Sequence, residues 1–294
     1  MASMRDIQRR RSSVSSIGQI TKAMKLVSTV KLQKAKVRAE QAKPYFDKMY
    51  RTVAHILSRS GQVNHPYLHA GESKKKCIVT ITSNRGLAGG YNSGVEKLIT
   101  ESGFAKEDVE LVTIGRKGKD FLLRRGYEIR SDYSDVINNP MYPDAMQISD
   151  EILKAYSAGE IGEIYLAYTS FKNTVVHIPT LMKLLPVEFS EEDISAGTEK
   201  TNARETALNT PMNYEPSEEE SLDIIIPKYI TSILFGALTS AVASENGARM
   251  QAMDSATSNA EEMIEQLSLQ YNRARQSSIT QELTEIIAGA EAIS

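Results

Sequence analysis

A single cysteine, Cys77, cannot close an internal disulfide, so the chain is not a disulfide-stapled fold and its cysteine usage fits a reducing compartment. No apolar run approaches the ~18 residues of a bilayer span, and the start MASMRDIQRRR lacks a signal-peptide core. Any membrane role is therefore expected to be peripheral. His55, His65, His69 and His177 stand without a cysteine or carboxylate at ligand spacing, which sets a metal site aside. No Ser-His-Asp order, H-E-x-x-H motif or paired active-site carboxylate stands out. Taken alone, the residues do not read as an enzyme.

What is present is charge, segregated to the two ends. Residues 1–43 hold eleven Lys or Arg against Asp6 and Glu40, a net of +9, whereas residues 218–294 hold twelve Asp or Glu against Lys228, Arg249, Arg273 and Arg275, a net of -8. A basic terminus raises nucleic acid as a partner, but aromatic residues are absent from it until Tyr45 and Phe46. A membrane-surface helix is opposed by the lack of Trp, Phe and Leu clusters on its apolar face. The acidic end supplies an internal counterpart instead.

Between Met4 and Lys43 there is no proline and only Gly18, while Ile7, Val14, Ile17, Met24 and Val27 recur at helical spacing. This predicts one long amphipathic helix, with Met49, Val53, Ile56 and Leu57 as its extension past Pro44. At the other end Pro227 is well placed for a helix start. From there Ile230, Leu234, Leu238, Ala241, Ala248, Ala252, Ala256, Ala260, Met263, Leu267, Tyr271 and Ala274 step by three or four, broken by Glu245. The narrow, alanine-rich seam suits pairing with one other helix, and the first helix is the obvious mate. If both helices leave one globular domain, paired positions should add to roughly 278. Arg10 with Glu265, Arg11 with Glu262, Lys22 with Asp254 and Lys31 with Glu245 are the charge pairs this register suggests.

The middle alternates strand and helix: CIVTIT (77–82), VEKLI, VELVTIG (109–115), KDFLLRRG, DAMQISDEILKAYSAG, EIYLAYTSF and VVHIPTLMKLLPVEF. Such alternation predicts an α/β domain with a largely parallel sheet. The reading gives an N-terminal helix over 1–60, a central α/β domain over 75–190, a polar insertion or linker over 191–221 and a C-terminal helix over 222–294. The loop Arg85-Gly86-Leu87-Ala88-Gly89-Gly90-Tyr91-Asn92 stands where a dinucleotide fold would cradle phosphate, but its spacing is neither G-x-G-x-x-G nor a P-loop. A tight structural turn is the expectation there, and Cys77 reads as a buried structural thiol.

IGQITKAMKLVSTVKLQKA (17–35), SNRGLAGGYNSG (83–94) and YNRARQSSITQELTEIIAGAEAI (271–293) together resemble the gamma subunit of F-type ATP synthases, and the likeness runs the whole length of the chain. The resemblance implies an antiparallel coiled coil of the two terminal helices beside a Rossmann-like α/β domain. It implies a central rotor shaft, not itself catalytic and without a cofactor, that couples proton-driven rotation of a membrane c-ring to ATP synthesis and hydrolysis at beta subunits. Three alpha and three beta subunits would surround the shaft, and the epsilon subunit and c-ring would meet its base. No nucleic acid is expected, and membrane association would run only through partners, at the cytoplasmic face of a bacterial cell membrane. Family contacts with beta carry over to Met24, Lys25, Arg249, Arg275, Gln276, Thr280 and Glu282, and a hydrophobic bearing tip to Ile279, Leu283, Ile286, Ile287 and Ile293. Asn84 stands where the family commonly has Asp, and the insertion with the redox-switch cysteines of chloroplast members is absent. The readings of another class are a nucleotide-binding α/β enzyme with helical oligomerisation arms and a basic nucleic-acid-binding adaptor.

Overall fold

The computed structural model describes residues 4–59, 65–71, 73–187 and 217–291. Its elements run α1 (Met4–Arg59), β1 (Lys76–Ile81), α2 (Tyr91–Thr100), β2 (Val109–Ile114), α3 (Arg116–Arg124), β3 (Glu128–Asp132), α4 (Tyr142–Ser157), β4 (Glu163–Phe171), β5 (His177–Leu185) and α5 (Glu218–Glu291). The chain divides into two compact units. Unit 1 is Met1–Val30 with Arg249–Ser294, and unit 2 is Lys31–Ala248. Each terminal helix contributes to both.

In unit 2 the strands form one sheet in the order β3-β2-β1-β4-β5. β1 pairs parallel with β2 and β4, β2 pairs parallel with β3, and β5 returns antiparallel on β4. The central strands KCIVTI and VELVTI are buried almost throughout, as strands covered on both faces must be. Their side chains alternate between two cores. Cys77, Val79, Ile81, Val112 and Ile114 face α4, Val53 and Ile56 of α1, and the α5 segment from Leu222 to Ala241. Ile78, Val109 and Leu111 face α2 and α3 through Val95, Ile99 and Leu122. The strand β3 was not among the expected elements, because EIRSD is a short polar edge with no buried residue to announce it.

Two sequence expectations need correction. Pro227 does not start the last helix but lies inside it. The start is set by Ser217, whose side-chain oxygen accepts the Glu220 N–H at 3.2 Å. The acidic run therefore begins a helix, while the remainder of the expected linker up to 216 lies outside the described residues. Second, α5 does contain an 18-residue window of mean hydropathy 1.5, apolar enough in length and composition to cross a membrane. That window is 61% buried within the protein, as the core helix of a folded domain would be.

Candidate functional site

Unit 1 is an antiparallel pair formed by the start of α1 and the end of α5. Buried or half-buried residues recur every three or four positions on both: Ile7, Arg11, Val14, Gly18, Thr21, Lys25 and Ser28 on α1, and Met253, Thr257, Ala260, Ile264, Leu267, Tyr271 and Ala274 on α5. This is the seam spacing of a coiled coil. Thr21 and Thr257 share a hydrogen bond of 2.8 Å, and a Cβ on Gly18 would touch Ala260 Cβ at 3.4 Å. Lys25 Nζ donates to Asp254 Oδ1 at 2.5 Å. The partners' numbers add to 278 or 279, the register expected from the sequence.

The composition of the seam differs from the expected one. Ile17 and Val27, counted on the first helix's apolar stripe, are 51% and 58% exposed, and Met263 of α5 faces outward too. A stripe chosen by side-chain size selects large aliphatics. Two helices that approach closely instead place their small residues at the contact, and Gly18 against Ala260 makes that approach possible. Ile17, Ile20, Leu26, Val27 and Val30 are left as an outer apolar surface on α1. The charge pairs change accordingly. Asp254 is held by Lys25 rather than Lys22, and Arg11 lies over the Tyr271 ring, 5.6 Å from its centre, rather than beside Glu262.

Of the residues expected to meet beta subunits, Met24 is half-buried on α1, Lys25 is ion-paired across the seam, and Arg249 is half-buried on α5. Arg275, Gln276, Thr280 and Glu282 are exposed on α5, with Thr280 Oγ1 donating to the Gln276 carbonyl at 2.9 Å and Ser278 Oγ donating to Glu282 at 3.3 Å. Ile279, Leu283, Ile286 and Ile287 of the expected tip are likewise exposed, Ile286 at 68%. Ile293 lies outside the described residues. By the register, Met4 lies opposite Ala274. Among the described residues, α5 from Arg275 to Glu291 therefore has no helix beside it.

A helical spacing of four, three and four places Arg275, Ile279, Glu282 and Ile286 in one row, and Gln276, Thr280, Leu283 and Ile287 in the next. The polar and apolar groups expected to serve separate contacts thus share one surface, which the sequence treated as two lists. Asp254 was expected to pair one turn away, with Lys22, whereas the Thr21–Thr257 pair was not expected, because polar residues at seam spacing leave no trace in the hydrophobic periodicity.

The glycine-rich turn of unit 2 is occupied by its own bonds. Asn92 Oδ1 accepts the Ser83 N–H at 2.9 Å, Ser83 Oγ donates to the Arg85 carbonyl at 2.7 Å, and the Tyr91 N–H at the start of α2 goes to the Ala88 carbonyl. Asn84 Nδ2 donates to the Ser134 carbonyl at 2.7 Å while its Oδ1 accepts the Arg116 N–H at 3.0 Å, a two-way link that a carboxylate could make only in part. Leu87 takes a positive φ of 62°, and Gly115 is required because a Cβ there would lie 2.1 Å from the Thr82 carbonyl oxygen. These bonds build a tight turn in which the Ser83 and Tyr91 N–H groups are already used.

A family model described as ATP synthase matches residues 3–293. The ATP synthase gamma chain of Lachnoclostridium phytofermentans is 65% identical over 293 residues, covering all of both chains. This chain belongs to the ATP synthase gamma-chain family. The gamma chain of Alkaliphilus metalliredigens is 44% identical over 99% of this chain and 98% of its own, and the sodium ion specific gamma chain of Acetobacterium woodii is 41% identical with the same coverage. Among solved structures, a chain of the Euglena gracilis mitochondrial ATP synthase superposes with a TM-score of 0.66 at 18% identity, covering 99% of this chain and 94% of its own. A chain of the Tetrahymena thermophila mitochondrial ATP synthase central stalk and c-ring gives 0.57 at 24% identity, covering 81% of this chain and 99% of its own. At that identity the likeness speaks for the fold. The ATP synthase gamma fold, a long C-terminal helix with a Rossmann-like mixed sheet, is the one observed here.

Proposed function

We propose that this chain is the central rotor shaft of an ATP synthase, carrying torque between a membrane ring and catalytic subunits without performing nucleotide chemistry itself. The shaft is drawn from residues 1–60 and 222–294. The α/β domain of residues 75–190 forms the seat that meets an epsilon subunit and the c-ring. Three alpha and three beta subunits surround the helix pair, ATP is made or hydrolysed on beta, and proton flow through the membrane sector drives the turn. The chain reaches the membrane's cytoplasmic face only through these partners.

The observation that carries this reading is the far end of α5. Ile279, Leu283, Ile286 and Ile287 are exposed together on a helix with no neighbour among the described residues. A contiguous apolar surface of this kind marks an interaction site. Arg275, Gln276, Thr280 and Glu282 in the same rows supply charge-assisted or neutral bonds that a surrounding sleeve can make and release as the shaft turns. Lys25 on α1 and Arg249 on α5 supply further charged groups, and Met24 an apolar contact beside Lys25. The structural neighbours described as a central stalk with its c-ring and as a rotor support this use of the fold.

The test is to isolate the complex that forms around the tagged full chain and weigh it, then assay it with Arg275→Ala and Glu282→Ala. A complex holding three alpha and three beta subunits, with turnover lowered several-fold and nucleotide affinity of isolated beta unchanged, is expected. Recovery of the chain without those subunits, or full turnover in both variants, would overturn the assignment.

A further inference from the structure

Unit 2 holds a cavity of about 530 Å³, within the size range of small-molecule sites. Its walls come from several elements: Ala39 and Tyr45 of α1, Tyr142 at the start of α4, Tyr168 and Met182 of the sheet, and the α5 segment from Ser232 to Ser240. Among the described residues lining it there is no Lys, Arg, His, Asp or Glu. The polar groups that do line it are hydroxyls. The Tyr142 hydroxyl lies near the Ser232 and Tyr45 hydroxyls, and that of Tyr168 near Ser170. Burial pushes both phenols above their ordinary range, so they stay neutral. The Tyr142 and Phe235 rings meet edge to face, 5.8 Å between centres, and a Cβ added to Gly236 would meet nothing within 4 Å.

With no cation among the described lining residues, a phosphate, carboxylate or nucleotide finds no partner there to replace its water, and with no anion among them the same holds for an amine. Ring faces and edges accept a flat aromatic body, and the hydroxyls accept or donate one or two hydrogen bonds. We propose that this cavity is a binding site for an uncharged, flat aromatic molecule bearing a hydroxyl or an N–H group. Because the walls belong to α1, α4, α5 and the sheet, one occupant braces all of them and stabilises unit 2 by mass action. The site is separate from the helix-pair surface proposed above and does not depend on that reading.

The test uses the full chain and the neutral fluorescent probe N-phenyl-1-naphthylamine, whose emission rises in an apolar site. Saturable binding is expected, displaced by 4-phenylphenol and displaced about tenfold less well by biphenyl-4-carboxylate, whose charge would lack a partner. Gly236→Leu and Ala39→Leu fill the cavity from two different helices, and each should weaken probe binding about tenfold or more while far-ultraviolet circular dichroism is retained. If one variant fails to fold, the other and the displacement series on the parent chain still decide. Absence of saturable binding, equal displacement by the carboxylate, or unchanged binding in a folded filled variant would overturn the proposal.

Discussion

Gly247 lies on α5 within unit 2, directly against the first residue of β5. A Cβ at that position would stand 2.6 Å from His177 Cε1 and 3.0 Å from Nε2, with the Thr174 carbonyl oxygen 3.6 Å away. The ring has little room to retreat, because the Phe171 ring lies 5.8 Å from it. Gly247→Ala therefore combines two opposed effects. Replacing a mid-helix glycine gains about 1 kcal/mol, and overpacking against a confined ring costs about 1–3 kcal/mol. The net expectation is a loss of about 1 kcal/mol, read from urea unfolding of the full chain followed by circular dichroism. The decisive measurement is the double-mutant cycle with His177→Ala. Removing the ring opens the space, so in that background Gly247→Ala should stabilise by about 1 kcal/mol, a coupling of about 2 kcal/mol. The same ring gives a pH signature. Burial holds the His177 imidazole below its ordinary value of 6.5, with the Thr174 backbone opposing in part. The unfolded chain then takes up a proton more readily than the folded one. This contribution to stability is complete above pH 6.5 and is lost as pH falls below it. His177→Ala should remove that part of the pH slope. Equal effects of Gly247→Ala in both backgrounds would refute the contact as the cause.

Thr21→Cys with Thr257→Cys should form a disulfide under mild oxidation, since the two hydroxyl oxygens stand 2.8 Å apart, whereas Ile17→Cys with Thr257→Cys should stay reduced because Ile17 faces outward. Cys77 will not interfere, because burial pushes its thiol up to about 12; a mobility shift of the second pair but not the first on a non-reducing gel would contradict the seam. Glu110→Ala should cost about 2 kcal/mol at pH 7, since the carboxylate at the start of β2 is bonded by Lys75 and by Arg130 Nη1 at 3.0 Å. Burial works to raise that carboxyl, but the Lys75 and Arg130 bonds outweigh it and hold it below 4.5, so in urea titrations the gap between variant and parent should narrow as pH falls below that value; a gap constant with pH would contradict this.

The sheet was legible because its central strands are uniform. β-branched runs such as CIVTI and VELVTI are buried on both faces, and no helical reading competes for them. The edges were less legible because an edge strand need satisfy only part of its surface, which lets β3 be short and polar. The start of α5 misled for a local reason. Ser217 followed by three glutamates reads as a solvated linker by composition, yet it is also a helix-capping pattern, and Pro227 drew attention away from it. The register emerged from chain geometry, since both helices join the same globular unit, and the pairing of Asp254 came within one helical turn of its actual partner. The identity of the seam did not, because hydrophobic size and helix proximity favour different residues.

That difference bears on how the helices are used. Inside the pair the specific contacts are modest: an exposed ion pair such as Lys25–Asp254 contributes at most ~1 kcal/mol and a cation over a ring such as Arg11 on Tyr271 ~0.5–1 kcal/mol. Such contacts select a register more than they stabilise it. Burying one exposed Ile or Val against a partner gains about 1.5–3 kcal/mol, and unit 1 leaves Ile17, Ile20, Val27 and Val30 exposed on α1 alone, with Ile279, Leu283, Ile286 and Ile287 exposed on α5. The larger reserve of hydrophobic free energy is thus directed outward. In the proposed rotor the sleeve would complete the folding of the shaft, while the small, polar seam keeps the two helices in register as successive partners take hold of the outer surface.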